Sequence, residues 1–282
     1  MTRADHPLTA RVIVNRVWQW HIGEGLVRSP DNLGRLGQTP THPQLLDWLA
    51  TRFIESGWSL KELHRLILLS ATYQMSSQWN AHAAAIDPEN RLLWRFSRRR
   101  LEAEAIRDAM LAISGRLDEQ IGGSILPTEN RKYVTSTANV DPVAYQTNRR
   151  SLYLPVVRSA LYEVFQAFDF ADPSVMSGRR QSTTVAPQAL FIMNSKFVTE
   201  QTRAMAEWLT ADDGDDAGRV RVTYQRTLGR PPTTSEISRA TSYVQAYTMR
   251  QAADIEPLEA RIRAWQSFCR VILATNEFIF LE

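Results

Sequence analysis

Residues 37–73 read GQTPTHPQLLDWLATRFIESGWSLKELHRLILLSATY, and this stretch decides the fold class. Leu45, Leu46, Leu49, Ala50 and Phe53 recur at the spacing that puts side chains on one face of a helix. Thr41 followed by Gln44 is a capping-box pattern, and Pro43 falls in the first turn, where a missing N–H costs little. Gly57 ends that helix. Ser59 and Glu62 repeat the pattern and open LKELHRLILLSATY, whose apolar residues surround the helix and predict a deep position. His42 sits between Thr41 and Pro43. Its first reading is local hydrogen bonding at a helix start; its second is a polar site shared with Arg28, Asp31 and Arg35 of the preceding loop.

Helical periodicity extends outward from this stretch. Ala10, Ile13, Val14, Val17 and Trp18 form one stripe, ended by Gly23 or Gly25. Asp87 and Pro88 open a helix over DPENRLLWRF. SRRRLEAEAIRDAMLAISGRL follows, with Ala103, Ile106, Met110, Ile113 and Leu117 on one face. Arg100, Glu104, Arg107 and Asp108 stand three or four residues apart and predict a salt-bridged helix face. From Gly115 to Arg180 the pattern weakens. RKYVTST and RRSLYLPVV have strand-like composition and predict a small ribbon between Arg131 and Val157, with Pro155 confining the second to an edge. Helices return with PQALFIMNSKFVTEQTRAMAEWL, with a short helix ended by Gly229, with a third capping box at Thr233 and Glu236, and with a last helix whose apolar stripe holds Cys269. The expectation is a mostly α, multi-helical protein with a small β ribbon and long polar loops. Residues 1–194 form the helical core with ribbon and loops, and residues 195–282 a C-terminal helical subdomain.

The 282 residues are 44% hydrophobic, enough to bury a sizeable core. No run of about eighteen apolar residues is present, so no membrane span is expected. The net charge of +3 is carried almost wholly by arginine, a side chain suited to internal bracing, and so small a charge argues against nucleic acid. RFSRRR is the one tract that suggests arginine-mediated binding, but it alternates closely with Glu102, Glu104 and Asp108. The single cysteine excludes an internal disulfide and haem attachment through two cysteines.

Motifs that carry chemistry are missing: there is no Gly-x-Ser-x-Gly, no Walker A loop, no dinucleotide glycine fingerprint and no His-Glu-x-x-His. His6, His21, His42, His64 and His82 are dispersed and form no metal-ligand pattern, so no metal site is expected. ADDGDDAG lacks the calcium-loop spacing. The candidate ligand-binding residues lie in loops: Arg28, Asp31, Arg35 and His42 in one, Arg150, Asp169 and Arg180 in the other. Both loops must satisfy backbone groups without regular ladders, which predicts that residues 28–42 and 149–180 pack together into one polar cleft.

The block from Leu8 to Ser77, LTARVIVNRVWQWHIGEGLVRSPDNLGRLGQTPTHPQLLDWLATRFIESGWSLKELHRLILLSATYQMSS, resembles the planctomycete PSD-one family, domain of unknown function fifteen-fifty-three. DPENRLLWRFSRRRLEAEAIRDAMLAISGRLD, RRSLYLPVVRS, FDFADPSVMSGRRQSTTVAPQALFIMNS and, more loosely, RTLGRPPTTSE and NEFIFLE continue the resemblance. It implies an extracytoplasmic location, because such domains usually form the C-terminal part of exported proteins that also carry a companion domain and a cytochrome c-like domain. It implies no cofactor in this chain, haem belonging to the companion, and no catalytic residue to transfer. Signal peptide, haem motif and companion domain are missing here, so a fragment, a split gene product or a truncated reading frame is expected. The leading functional expectation is an accessory module binding a partner protein, such as the cytochrome c-like companion, or a cell-surface polysaccharide. The alternatives are part of a polysaccharide-active or redox enzyme completed by companion domains, and nucleic-acid binding.

Overall fold

The computed structural model describes residues 6–123, 125, 146–156 and 161–281. Twelve α-helices and a two-stranded sheet make up the regular structure among them. Contacts divide the chain into two units: the first is Met1–Arg99 with Ser177–Arg179, and the second is Arg100–Met176 with Arg180–Leu281. Residues 194 and 195 both lie in the second unit.

The first unit holds α1 (Thr9–Ile22), α2 (Pro43–Glu55), α3 (Leu60–Leu68) and α4 (Ala81–Ile86). Val14, Val17 and Trp18 of α1 meet Leu46, Leu49 and Phe53 of α2 and Leu63 and Ile67 of α3 in its core. Asn15 is fully buried within α1 and clamps the following loop: its amide donates to the Val27 carbonyl at 3.0 Å and accepts from the Val27 N–H at 2.8 Å. A Cβ on Gly25 would lie 2.8 Å from that amide, so the turn over the clamp requires glycine.

Several sequence expectations change here. Thr41 is not the cap of α2. His42 holds that position without a side-chain cap bond, while the Thr41 N–H donates to the Leu26 carbonyl at 2.8 Å. The partner lies fifteen residues upstream, beyond the reach of a local pattern. Half of the Ser59 pattern is realised: its hydroxyl accepts from the Glu62 N–H. The α3 helix does not lie deep. Only Leu63 and Ile67 are buried, and Leu60, Leu66 and Leu69 face solvent. DPENRLLWRF is a chain of turns and not a helix: Asp87 accepts from the N–H groups of Arg91 and Leu92, and Asn90 and Leu93 take positive φ. Its side chains capture the backbone groups that a helix would have used.

The second unit contains α5 (Ala103–Ile113), α6 (Glu163–Ala167), α7 (Ala186–Asn194), α8 (Lys196–Thr210), α9 (Asp216–Leu228), α10 (Thr234–Gln251), α11 (Pro257–Leu273) and α12 (Asn276–Ile279). The α11 helix is its centre, packed on α8 and α10, with Ala264, Trp265, Cys269 and Leu273 wholly removed from water. Burial pushes the Cys269 thiol up to about 12, so it behaves as a small apolar side chain. Where the sequence predicts helices over residues 187–209 there are two, α7 and α8, parted at Ser195, which takes an extended conformation and caps α8 through the Val198 N–H. Thr233 and Glu236 form the reciprocal box in full.

Sheet pairing joins β1 (Arg99–Arg100) to β2 (Phe280–Leu281). Most of the ribbon expected between Arg131 and Val157 lies outside the described residues. Within its described part, residues 146–156, Ser151–Tyr153 form a 3-10 turn and Arg149 makes an isolated parallel bridge with Asp118 in place of a strand. The expected salt-bridge ladder is also redirected. Arg100 precedes α5 and reaches Asp169; Glu104 pairs with Arg180; Arg107 is buried and donates chiefly to the carbonyls of Thr147 and Arg149, with Asp108 at 3.4 Å.

Candidate docking groove

The loop residues singled out in the sequence divide between the units. Arg28, Asp31, Arg35 and His42 belong to the first; Arg150, Asp169 and Arg180 belong to the second. Gly178 of the second loop lies in the first unit, so the two loops meet there at that residue. Arg28 donates to the Glu89 carbonyl at 2.9 Å and reaches its carboxylate at 3.3 Å. Asp31 accepts from the Gly178 N–H at 2.9 Å, and a Cβ on Gly178 would lie 2.1 Å from the same carboxylate. The His42 Nδ1 sits 3.0 Å from the Thr41 hydroxyl. Arg35 is exposed.

In the second unit, Asp169 closes the loop that begins with it. Its carboxylate accepts from the Thr183 N–H at 2.7 Å and from Arg100 at 2.9 Å, with φ at +53°. Burial works to raise its pKa, but the Thr183 and Arg100 hydrogen bonds outweigh this and hold the carboxyl below its usual range. Arg180 lies over Phe170 and donates to Glu104 at 2.7 Å and Glu102 at 3.1 Å. Arg150 is exposed. Arg28 and Arg180 are thus engaged by carboxylates and a carbonyl, as bracing guanidinium groups are.

A different surface stands open. The α2 helix and its C-cap Ser56 present Leu45, Trp48, Leu49, Arg52, Phe53 and Ser56 along one stripe, and α3 with its C-cap Leu69 presents Glu62, Leu66 and Leu69 beside it. Between them is a groove of about 550 Å³ with Trp18 of α1, Leu49, Phe53, Leu63 and Ile67 beneath. Its size lies within the usual range of ligand sites, roughly 300–1,000 Å³. Trp48 is 47% exposed, Leu66 38% and Leu69 70%, so much apolar surface remains in water. The turn between the helices sets the geometry. Gly57 and Trp58 both take positive φ, and the Trp58 ring packs edge-on against Phe53 at 5.3 Å.

The charged residues at the groove are unequal. Arg52 lies near the Trp48 ring and pairs with Glu55 at 3.2 Å, both side chains being more than half exposed. Arg65 is exposed and makes no ion pair among the described residues. Among the described residues Glu62 is the one carboxylate lining the groove.

A family model described as PSD1, protein of unknown function (DUF1553), matches residues 1–244. The chain belongs to this family. The matched region includes the whole groove and ends within α10. Comparison with curated proteins and with solved structures finds no match.

One further feature of this DUF1553 chain was invisible in sequence. The His21 Nε2 and His64 Nδ1 atoms lie 2.6 Å apart, brought together by the packing of α1 on α3. Burial, then His64, then Arg99 lower the His21 pKa, so a neutral imidazole is favoured there. One ring donates and the other accepts, pinning the groove's α3 wall to the end of α1. Their separation of 43 residues left no spacing signal. Among the described residues no three His, Cys, Asp or Glu side chains gather as a metal-binding group. Ser151 donates to Asp108 at 2.6 Å, with no histidine within hydrogen-bonding distance of the pair among the described residues, so the arrangement lacks the base of a nucleophilic triad. No helix among the described residues is long and apolar enough to cross a membrane.

Proposed function

We propose that this DUF1553 chain is an extracytoplasmic interaction module that binds a partner protein through the α2–α3 groove. The observation that carries the reading is an open apolar groove whose lining repeats along the full α2 helix, in a unit whose loop arginine Arg28 is already engaged. Apolar floors accept apolar side chains more readily than hydroxyl-rich polymers, which favours a protein over a polysaccharide. The extracytoplasmic location rests on the family resemblance, which also points to the cytochrome c-like companion as the partner and to haem as that companion's cofactor. The nucleic-acid alternative loses support from the fate of RFSRRR: Arg95 lies over Trp79 and Trp94, and Arg100 is held by Asp169.

The test is a titration of the cytochrome c-like companion, from the same genome, against the native chain and against Trp48→Asp. Trp48 is half exposed, so the variant should keep its melting temperature. A loss of at least tenfold in affinity is expected. Unchanged affinity in the variant, or no binding by the native chain, overturns the reading. Export is tested separately with an alkaline phosphatase fusion of the whole gene, which should be active only if the protein leaves the cytoplasm.

A further inference from the structure

Resting on that reading, we infer that the groove's occupant is one amphipathic helix of the partner, with acidic residues along its flank. The first ground is shape. The lining positions of α2 are 45, 48, 49, 52 and 53, a stripe of eight intervals that rises roughly 12 Å at 1.5 Å per residue, with Ser56 just past its end. The α3 stripe runs beside it over 62, 63, 66, 69 and 70. Two helices that leave a valley between them offer the surface on which a third helix packs, its ridge of side chains entering the groove at about 8–10 Å between axes. An anchor row at i, i+3 or i+4, and i+7 matches such a valley. A strand would bring unpaired backbone groups against apolar walls. A membrane surface calls for a protruding apolar face, whereas this one is concave.

The second ground is charge. Arg52 and Arg65 line the groove against a single lining carboxylate, Glu62. The bond from Arg52 to Glu55 is an exposed i,i+3 pair, which is weak and readily exchanged for another carboxylate. Arg65 has no ion-pair partner among the described residues. Two guanidinium groups beside an apolar trough therefore favour an occupant with leucines or aromatics on one face and aspartates or glutamates at its edge. The acid flank would set orientation and speed encounter, and the apolar row would hold the complex.

The experiment uses the full chain and three fluorescent eighteen-residue peptides. One is helical with leucines at i, i+3, i+4 and i+7 and glutamates at the flanks. The second replaces those glutamates with lysines. The third is the acidic peptide with two central prolines. Fluorescence anisotropy should show the acidic helix binding at least tenfold more tightly than the basic one, and the proline peptide not binding. The double variant Arg52→Glu, Arg65→Glu should reverse the preference. Trp48→Asp, or Leu66→Asp if the first variant misfolds, should abolish binding of both helices. Equal binding of acidic and basic helices overturns the charge inference and leaves the groove reading standing. Failure of both helices overturns the helical occupant; the groove reading itself falls if Trp48→Asp leaves companion binding unchanged or if the native chain does not bind the companion. Two other results overturn the inference: binding to phosphatidylglycerol vesicles that Trp48→Asp removes while the helices fail, or a concentration-dependent dimer in ultracentrifugation that Trp48→Asp abolishes.

Discussion

The α8–α11 packing of the second unit and the α2–α3 pair of the first use the same material to opposite ends. Both are amphipathic helices with leucines, tryptophan and arginine. In the second unit α11 buries Ala260, Ala264, Trp265, Phe268, Cys269, Ile272 and Leu273, and its Glu259, Arg261 and Arg263 are closed into ion pairs. Glu259 accepts from Arg203 through both oxygens at 2.8 Å and from Arg263 at 2.8 Å. Glu236 and Glu277 similarly hold Arg230. In the first unit α3 leaves Leu60, Leu66 and Leu69 in water and Arg65 without an ion pair among the described residues. Closed stripes and closed charges serve stability; an open stripe with an uncommitted cation serves association.

The sharpest test of this contrast compares two tryptophans. Trp265→Ala should cost about 3–5 kcal/mol, because it opens a cavity at a wholly buried site. Trp48→Ala should change stability by no more than about 0.5 kcal/mol, as a surface change does. Chemical denaturation of both variants measures the difference. A comparable loss for Trp48→Ala would mean that the groove wall is part of the core, and the contrast would fail.

Asn15→Ala comes next. It leaves the Val27 N–H and carbonyl unpaired in a buried turn, at about 1–3 kcal/mol for each uncompensated group. Hydrogen exchange should locate the loosening around residues 24–28 of the first unit, with the second unit's protection unchanged.

Acid should act on the closed charges of the second unit. The hydrogen bond from Arg230 first, then the Thr233 N–H, hold Glu236 at about 2 against an ordinary 4.5. Hydrogen bonds from Arg203 and then Arg263 hold Glu259 at about 2. The folded state thus binds protons less readily than the unfolded one. The stabilisation is whole above pH 4.5 and is lost as pH falls toward 2. The double variant Glu236→Gln, Glu259→Gln should flatten the decline in melting temperature over this window; an unchanged slope would show that these pairs add nothing.

The smallest expected effect separates the two capping patterns. Ser59→Ala removes an acceptor from the Glu62 N–H and should cost roughly 0.5–2 kcal/mol. Thr41→Ala should cost less, since its hydroxyl donates to the Leu26 carbonyl only at 3.3 Å and caps no helix. Reversal of that order in denaturant midpoints would restore Thr41 as the helix start.

Local chemistry determined a good part of this protein. The apolar period predicted α1, α2, α8, α10 and α11, glycine stops fell at Gly23 and Gly229, and of three expected capping boxes the one at Thr233 formed in full and the one at Ser59 by half. These features depend on neighbours within about four residues, a range over which spacing alone sets geometry. The buried Cys269 followed from the same period.

Tertiary structure decided the rest. Thr41 matched the pattern of a cap yet bonds a carbonyl fifteen residues upstream, and Arg107 sat in a helical charge ladder yet turned inward to carbonyls some forty residues away. His21 and His64 met only because α1 packs on α3. The groove was the least legible feature. The sequence shows that α3 is rich in leucine, but not which leucines find a partner. Covering an apolar stripe requires another element at the right distance, and this depends on how distant segments pack, a quantity no local spacing contains.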